Sequence, residues 1–350
     1  MAVVDLFCGV GGLTHGLALE GFSVTAGVDI DETCRFAYEH NNAGATFVSK
    51  SVADLSGCDL LSYYPQGSTK IMVGCAPCRP YSSMPTKIAD GKREWELLDH
   101  FASLVEEVDP EVVSMENVVQ LRSFDTGRVF QNFVERLEAA GYTTSHYSVF
   151  GPDYGLPQTR RRLVFFASKR GRVELVPPTH SPDAYLTVED VIKKLPRVDS
   201  GGVSPNDPLH RARRLGPLNL KRIRASKPGG TWHDWPEDLR ADCHKKESGA
   251  SYKSVYGRMQ WSEPSPTITT LFHGFGNGRF GHPEQDRALT LREGAMLQTF
   301  PETYAFAEHG APISFDAIGR HIGNAVPVDL GRVIGRSIAR HLASTSNPHV

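Results

Sequence analysis

The chain has 350 residues, 22% of them charged, and a net charge of -2. That length exceeds one ordinary domain, so two are expected, and the near-neutral balance argues against a protein that coats nucleic acid indiscriminately. No apolar stretch approaches the ~20 residues a membrane span needs; the chain opens on Met1-Ala2-Val3-Val4-Asp5 with no basic leader, so a cytoplasmic protein without membrane attachment is expected.

In chain order, short apolar runs at 3–7, 23–28, 46–48, 70–74, 111–115, 145–150 and 163–167 read as strands. Segments 13–20, 31–41, 95–107 and 128–140 read as helices, the last two with apolar i, i+3, i+4 spacing. This alternation predicts an α/β fold: a Rossmann-like, mostly parallel sheet with helices on both faces. After residue 176 the pattern dissolves into Pro- and Gly-punctuated chain rich in Arg, His and Trp, and helix-like order returns at 291–300 and 329–342. The expected domains are 1–175 plus 316–350 and, between them, a smaller irregular domain at 176–315.

Asp5-Leu6-Phe7-Cys8-Gly9-Val10-Gly11-Gly12 closes the first strand and opens the first helix, and the second strand ends in Asp29-Ile30-Asp31. Glycines there let a ligand approach the main chain, and the acid is spaced to hold a ribose hydroxyl. The third spaced glycine that admits a pyrophosphate is missing, as is Gly-Lys-Ser/Thr. A nucleoside cofactor without phosphates, S-adenosylmethionine, fits better.

Cys78 lies in Ala76-Pro77-Cys78-Arg79-Pro80-Tyr81-Ser82, just after one apolar run, and Met115-Glu116-Asn117-Val118 ends the next. Three readings compete for Cys78. With Cys75 it forms a CxxC, the pattern of a redox pair, although such a pair explains neither Glu116 nor the basic second half. A metal site is not expected, because zinc needs four ligands and no second CxxC or spaced His pair is in reach. The third reading is a nucleophilic thiolate paired with a carboxylate. The remaining cysteines (Cys8, Cys34, Cys58, Cys243) show no disulfide framework. Residues 210–227 carry Arg211, Arg213, Arg214, Lys221, Arg222, Arg224 and Lys227 without an acid, the composition of a phosphate-tracking surface.

Taken in order, these motifs resemble the cytosine-C5 DNA methyltransferase family, bacterial or phage type. Asp5–Gly12 resembles its cofactor loop, Pro77-Cys78 its nucleophile motif and Glu116-Asn117-Val118 its carboxylate motif. Gln158-Thr159-Arg160-Arg161-Arg162 resembles Gln-x-Arg-x-Arg, Arg292 to Pro301 the motif after the recognition region, and Gly323-Asn324-Ala325-Val326-Pro327 the last motif. The resemblance implies methyl transfer from S-adenosylmethionine to C5 of a flipped-out cytosine in a specific double-stranded DNA sequence. Cys78 would attack C6, Glu116 would hold N3 and the exocyclic amine, and Arg160 and Arg162 would hold the O2 side and the nucleophile.

For the cofactor, the resemblance implies Phe7 and Ile30 on the adenine, Gly9, Gly11 and Gly12 along the methionine part, and Asp29 on the ribose. Asp54 would reach the adenine amino group, and Pro77 and Asn324 would close the pocket. Arg79, Ser82, Gln158, Thr270 and Leu271 are the expected substrate contacts, the last two in Thr267-Ile268-Thr269-Thr270-Leu271 of a target recognition domain. Residues 81–94 resemble a loop that closes over DNA. Arg79 departs from the family, whose members usually carry Gln there. A monomer is expected, as is a cognate restriction endonuclease acting separately. The rivals are a tRNA methyltransferase of the same family, which would lack a sizeable recognition domain, and a non-catalytic DNA-binding relative, which would not need Cys78 and Glu116.

Overall fold

The computed structural model describes residues 1–77, 96–246 and 253–346. Its first part alternates strands and helices: β1 (Ala2–Leu6), α1 (Gly12–Leu19), β2 (Ser23–Asp29), α2 (Arg35–Asn41), β3 (Thr46–Ser49), α3 (Gly57–Leu61), β4 (Lys70–Gly74), α4 (Glu96–Val108), β5 (Val112–Asn117), α5 (Arg128–Ala139), β6 (Thr143–Phe150) and β7 (Arg161–Ser168). The strands form a seven-stranded sheet in the order β3-β2-β1-β4-β5-β7-β6. Neighbours from β3 through β5 pair in parallel, whereas β7 is antiparallel to both β5 and β6. All seven strands match the runs read from sequence. The expected helix at 31–41 instead opens as a 3-10 turn, Glu32–Cys34, because the Asp31 side chain takes the Thr33 N–H.

Regular spacing builds the core of this part. α4 buries Leu98, Phe101, Ala102, Val105 and Val108 along one face, and α5 buries Phe130, Phe133 and Leu137. Phe133 meets Phe101 at a ring separation of 5.8 Å and Phe165 of β7 at 5.2 Å. Each such aromatic side chain contributes roughly 1.5–3 kcal/mol by burial. The C-terminal helix α10 (Val328–Ser346) returns to α1 by close backbone approach: a Cβ on Gly16 would lie 2.3 Å from the Val328 carbonyl oxygen. Arg332 and Arg336 of α10 then reach Glu20 at 2.8 and 3.3 Å.

Contact density divides the chain into two compact units. One is Met1–Tyr154, Arg161–Thr179 and Val326–Val350; the other is Gly155–Arg160 and His180–Ala325. The second holds α6 (Val188–Ile192), α7 (Pro217–Ala225), α8 (Leu291–Leu297) and α9 (Phe315–Asn324), joined by long irregular segments and isolated β-bridges. One of its apolar clusters joins Ile223, Trp232, Trp235, Leu239, Phe275 and Ala288, and the rings of Phe300, Tyr304 and Phe306 pack against one another elsewhere in the unit.

Buried guanidinium groups supply much of the order here. Arg258 donates to the carbonyls of Ile223, Ser226, His282 and Gln285 and pairs with Asp286 at 2.5 Å. Arg287 donates to the Val198 carbonyl and holds Glu293 with both terminal nitrogens at 2.7 Å. The same Glu293 carboxylate caps α8 by accepting the Thr290 N–H. Loop backbone away from water must find partners, and a planar five-donor group satisfies several carbonyls at once.

Two buried carboxyls titrate in opposite directions. Asp5 on β1 accepts the Thr14 hydroxyl at 2.7 Å, yet burial, aided by the charge of Asp29, pushes it from 3.8 up to about 7. The folded chain then keeps a proton that the unfolded chain has lost, so stability from Asp5 falls as pH rises from about 4 to about 7. Asp5→Asn removes this loss: its melting temperature, followed across that window, gains on wild type and then runs parallel above it. For Glu293, burial favours the neutral acid, but the Arg287 guanidinium outweighs it and holds the group at about 2. Its contribution is present above 4.5 and lost as pH falls towards 2. Arg287→Met, which strands Glu293 without its partner, is expected to cost about 3–5 kcal/mol in urea denaturation, and Arg287→Met with Glu293→Leu to recover much of it.

Candidate active site

In an open α/β sheet, ligands gather at the carboxyl ends of the strands where the strand order reverses. Here β1 and β4 are the adjacent strands at that reversal. The first unit collects at this edge the loop after β1 with Phe7, Gly9, Gly11 and Gly12, the end of β2 with Asp29 and Ile30, and Asp54 after β3. Pro77 follows β4 and Glu116 ends β5. Cys78, Arg79, Ser82 and the 81–94 loop lie outside the described residues.

The loop turns sharply because Gly9 and Gly11 adopt φ of +51° and +86°, left-handed values that favour glycine. Phe7 also sits at φ +59°, a conformation that costs a non-glycine residue roughly 1–3 kcal/mol. Asp29 locks the loop to β2: one carboxylate oxygen accepts the Gly9 N–H and the other the Asp31 N–H, both at 2.8 Å. Burial raises the Asp29 pKa even so, with these backbone bonds opposing.

Beside Asp29, Ile30 is 73% exposed, an uncovered apolar side chain. A Cβ on Gly9 would meet nothing within 4 Å. Open space over the loop, an acid with spare lone pairs and a bare apolar face match a nucleoside's sugar and base, so these residues fit S-adenosylmethionine. Asp54 is exposed at the end of its 3-10 turn and Pro77 is half-buried.

On the chemistry side, Glu116 is buried at the end of β5. Because β7 runs antiparallel to β5, with Glu116 opposite Val164 and Asn117 opposite Leu163, the first residues of β7 arrive at the same edge. Arg162 Nε lies 2.8 Å from Glu116 Oε1. That contact is a charge pair and not an aligned hydrogen bond, so Oε1 has no hydrogen-bond donor among the described residues. Glu116 Oε2 accepts the Cys75 thiol at 2.8 Å. Asn117 Nδ2 donates to the Ala76 carbonyl at 3.1 Å, tying the chain before Cys78 to β5.

Gln158 and Arg160 belong to the second unit, where both are buried. Arg160 donates to Gln158 Oε1 at 2.9 Å and to the Ile268 carbonyl at 2.7 Å. The Gln158 amide donates to the Leu297 carbonyl and to Gln298, whose own amide reaches the Ile322 carbonyl, each at 2.7 Å. The Gln298 amide also reaches the Ala325 carbonyl at 3.3 Å, so side-chain amides and a guanidinium tie together residues of four stretches singled out in the sequence, 158–162, 267–271, 292–301 and 323–327. Gln298 had no assigned role in the sequence, although its motif was visible. Thr270 is half-buried, Leu271 is 46% exposed, and Asn324 is exposed at the end of α9.

The basic run needs one correction. Arg222 is buried, donates to the Leu239 carbonyl at 2.8 Å and lies over the Trp235 and Tyr256 rings, so it cannot face phosphate. His210, at the start of the run, is likewise core, bonded to Thr290 and the Pro196 carbonyl. Residues 217–225 form helix α7, with Pro217 in its first turn, where a loop was expected. Arg213, Arg214, Lys221, Arg224 and Lys227 remain exposed.

The family model for C-5 cytosine-specific DNA methylases matches residues 1–340. The Type II methylase M.HgiDII of Herpetosiphon aurantiacus is 56% identical over 97% of this chain and 96% of its own length. The Type II methyltransferase M.Eco47II of Escherichia coli is 30% identical over 99% of this chain and 80% of its own. Among solved structures, a prophage-encoded DNA modification methyltransferase candidate from Escherichia coli superposes with a TM-score of 0.76 at 22% identity, over 98% of this chain and 99% of that one. That likeness speaks for the fold, and the sequence matches speak for the activity. The chain belongs to the C-5 cytosine-specific DNA methylase family and is a DNA cytosine-5 methyltransferase.

Proposed function

We propose that the chain methylates one cytosine within a specific duplex sequence, with Cys78 as nucleophile and Glu116 as the group that holds the base. The observation that carries this reading is Glu116 itself: a buried carboxylate beside a guanidinium, with Oε1 lacking an aligned donor. Such an atom is costly to leave unmatched, and the exocyclic amine of a flipped cytosine supplies the missing N–H. Flipping costs a few kcal/mol and is required because C5 and C6 are out of reach inside the stack.

The Cys78 thiolate adds to C6, the C5–C6 π electrons form a C4–C5 enamine, and N3 takes up the displaced pair with a proton relayed by Glu116 and returned when Cys78 leaves, so C5 becomes nucleophilic. S-adenosylmethionine, when bound, supplies the methyl group as a sulfonium; Phe7, Ile30, Asp29, Asp54 and the Gly9–Gly12 backbone would hold it, and the family resemblance adds Pro77 and Asn324 to the residues that would bind it. Loss of the C5 proton to solvent then restores the C5–C6 double bond and expels Cys78 as thiolate. Arg162 keeps Glu116 in place, and Arg160 and Gln158 act by fixing the 267–271 segment that carries Thr270 and Leu271. Arg79 and Ser82 would contact DNA.

The second unit serves as the target recognition domain, with its exposed cations on phosphates. A monomer acting in the cytoplasm, with a separate endonuclease for the same sequence, fits a relative named as a Type II methylase. No helix among the described residues is long and apolar enough to cross a membrane.

Mass spectrometry tests the nucleophile. Wild type should form a covalent adduct with 5-fluorocytosine duplex DNA, and Cys78→Ala should bind DNA without adduct or methylation. An adduct that survives in Cys78→Ala would remove Cys78 from the mechanism. For the surface, alanine at Arg213, Arg214, Lys221, Arg224 or Lys227 should weaken binding on all sequences alike, and removing a cation that neutralises a phosphate should lower the salt slope by about 1. Weakening confined to one sequence would mean base reading instead.

A further inference from the structure

Besides its CxxC spacing to Cys78, Cys75 has a partner on β5. Its backbone N–H donates to the Leu6 carbonyl at 3.2 Å, extending the β1–β4 pairing one residue beyond β4. The Ala76 carbonyl is held in turn by Asn117. With its main chain pinned between β1 and β5, the Cys75 side chain is delivered to one place, and there its thiol meets Glu116 Oε2 at 2.8 Å.

We propose that Cys75 is a positioning residue for the methyl-transfer reaction: its thiol donates to Oε2 of Glu116 and sets the plane of that carboxylate. This rests on the reading of Glu116 as the base-holding group. The terminal torsion of a glutamate is broad and roughly two-fold, so a single contact from Arg162 Nε to Oε1 leaves the plane free to turn. A second contact on the other oxygen fixes it. A thiol is ordinarily a weak donor, but its acceptor here is a buried, charge-paired carboxylate, where hydrogen bonds are strongest. Oε1 is then presented in one orientation, and misalignment at a reacting centre is costly in rate. Cys75 touches neither base nor methyl donor in this role and acts through Glu116.

The test is single-turnover methyl transfer from tritiated S-adenosylmethionine to unmethylated bacteriophage lambda DNA, with melting temperature and cofactor affinity measured alongside. Cys75→Ala should lower the transfer rate roughly tenfold or more while leaving the KM for DNA within about twofold. Cys75→Ser, whose hydroxyl also donates, should recover most of the rate. In a Glu116→Gln background, Cys75→Ala should add little further loss, the sign of coupling between the two. A wild-type rate for Cys75→Ala overturns the proposal. So do equal rate losses in the alanine and serine variants with a lowered melting temperature, or fully additive losses in the double variant. If Glu116→Gln alone keeps the wild-type rate, the reading of Glu116 fails instead, a separate result.

Discussion

The reversal of one strand decides what this active site can contain. In a parallel sheet every strand delivers its last residues to the same edge, and the residues that begin strands lie at the far edge. β7 runs against β5, so Arg161 and Arg162 begin the strand where Glu116 ends its neighbour. A carboxylate with a side chain only 3% exposed is costly to bury alone. The guanidinium delivered by the antiparallel neighbour makes that burial tenable. Without the reversal, the end of β5 would need to be polar and wet to hold such a carboxylate.

The second unit solves a different problem with the same chemistry. It has few regular elements, so its loops must find partners for backbone carbonyls. Arg160, Arg222, Arg258 and Arg287 do this from buried positions, and the Arg287–Glu293 pair also fixes the start of α8. Gln158 and Gln298 extend the pattern with amides that bond main chain on two sides. A scaffold of buried polar ties keeps those loops in one arrangement.

The strands of the first unit were legible because each is a short apolar run bounded by turn residues, and α4 and α5 announced themselves by helical spacing. The glycine-rich loop after β1 and Glu116 near the end of β5 sit at strand ends, where the bounding apolar runs placed them. Less could be read where burial reverses the usual meaning of a residue. Arg222 sits in a cationic run and looks solvated, yet Trp235 and Tyr256 stack against it; nothing in the run itself reveals those partners. α7 escaped notice because its apolar residues are few, and only Pro217 marked its start. Cys75 was overshadowed by its spacing to Cys78, whereas its partner is 41 residues away on a neighbouring strand.

The proposed chemistry turns on Glu116 as the group that would meet the flipped base. A crystal structure of the protein with cofactor and a 5-fluorocytosine duplex carrying its recognition sequence tests this directly. The expected result is a bond from Cys78 Sγ to C6, with the protonated N3 and the exocyclic amine donating to Glu116, which is still paired with Arg162. A trapped base whose Watson–Crick edge faces other residues, with Glu116 turned away from the ring, would contradict it.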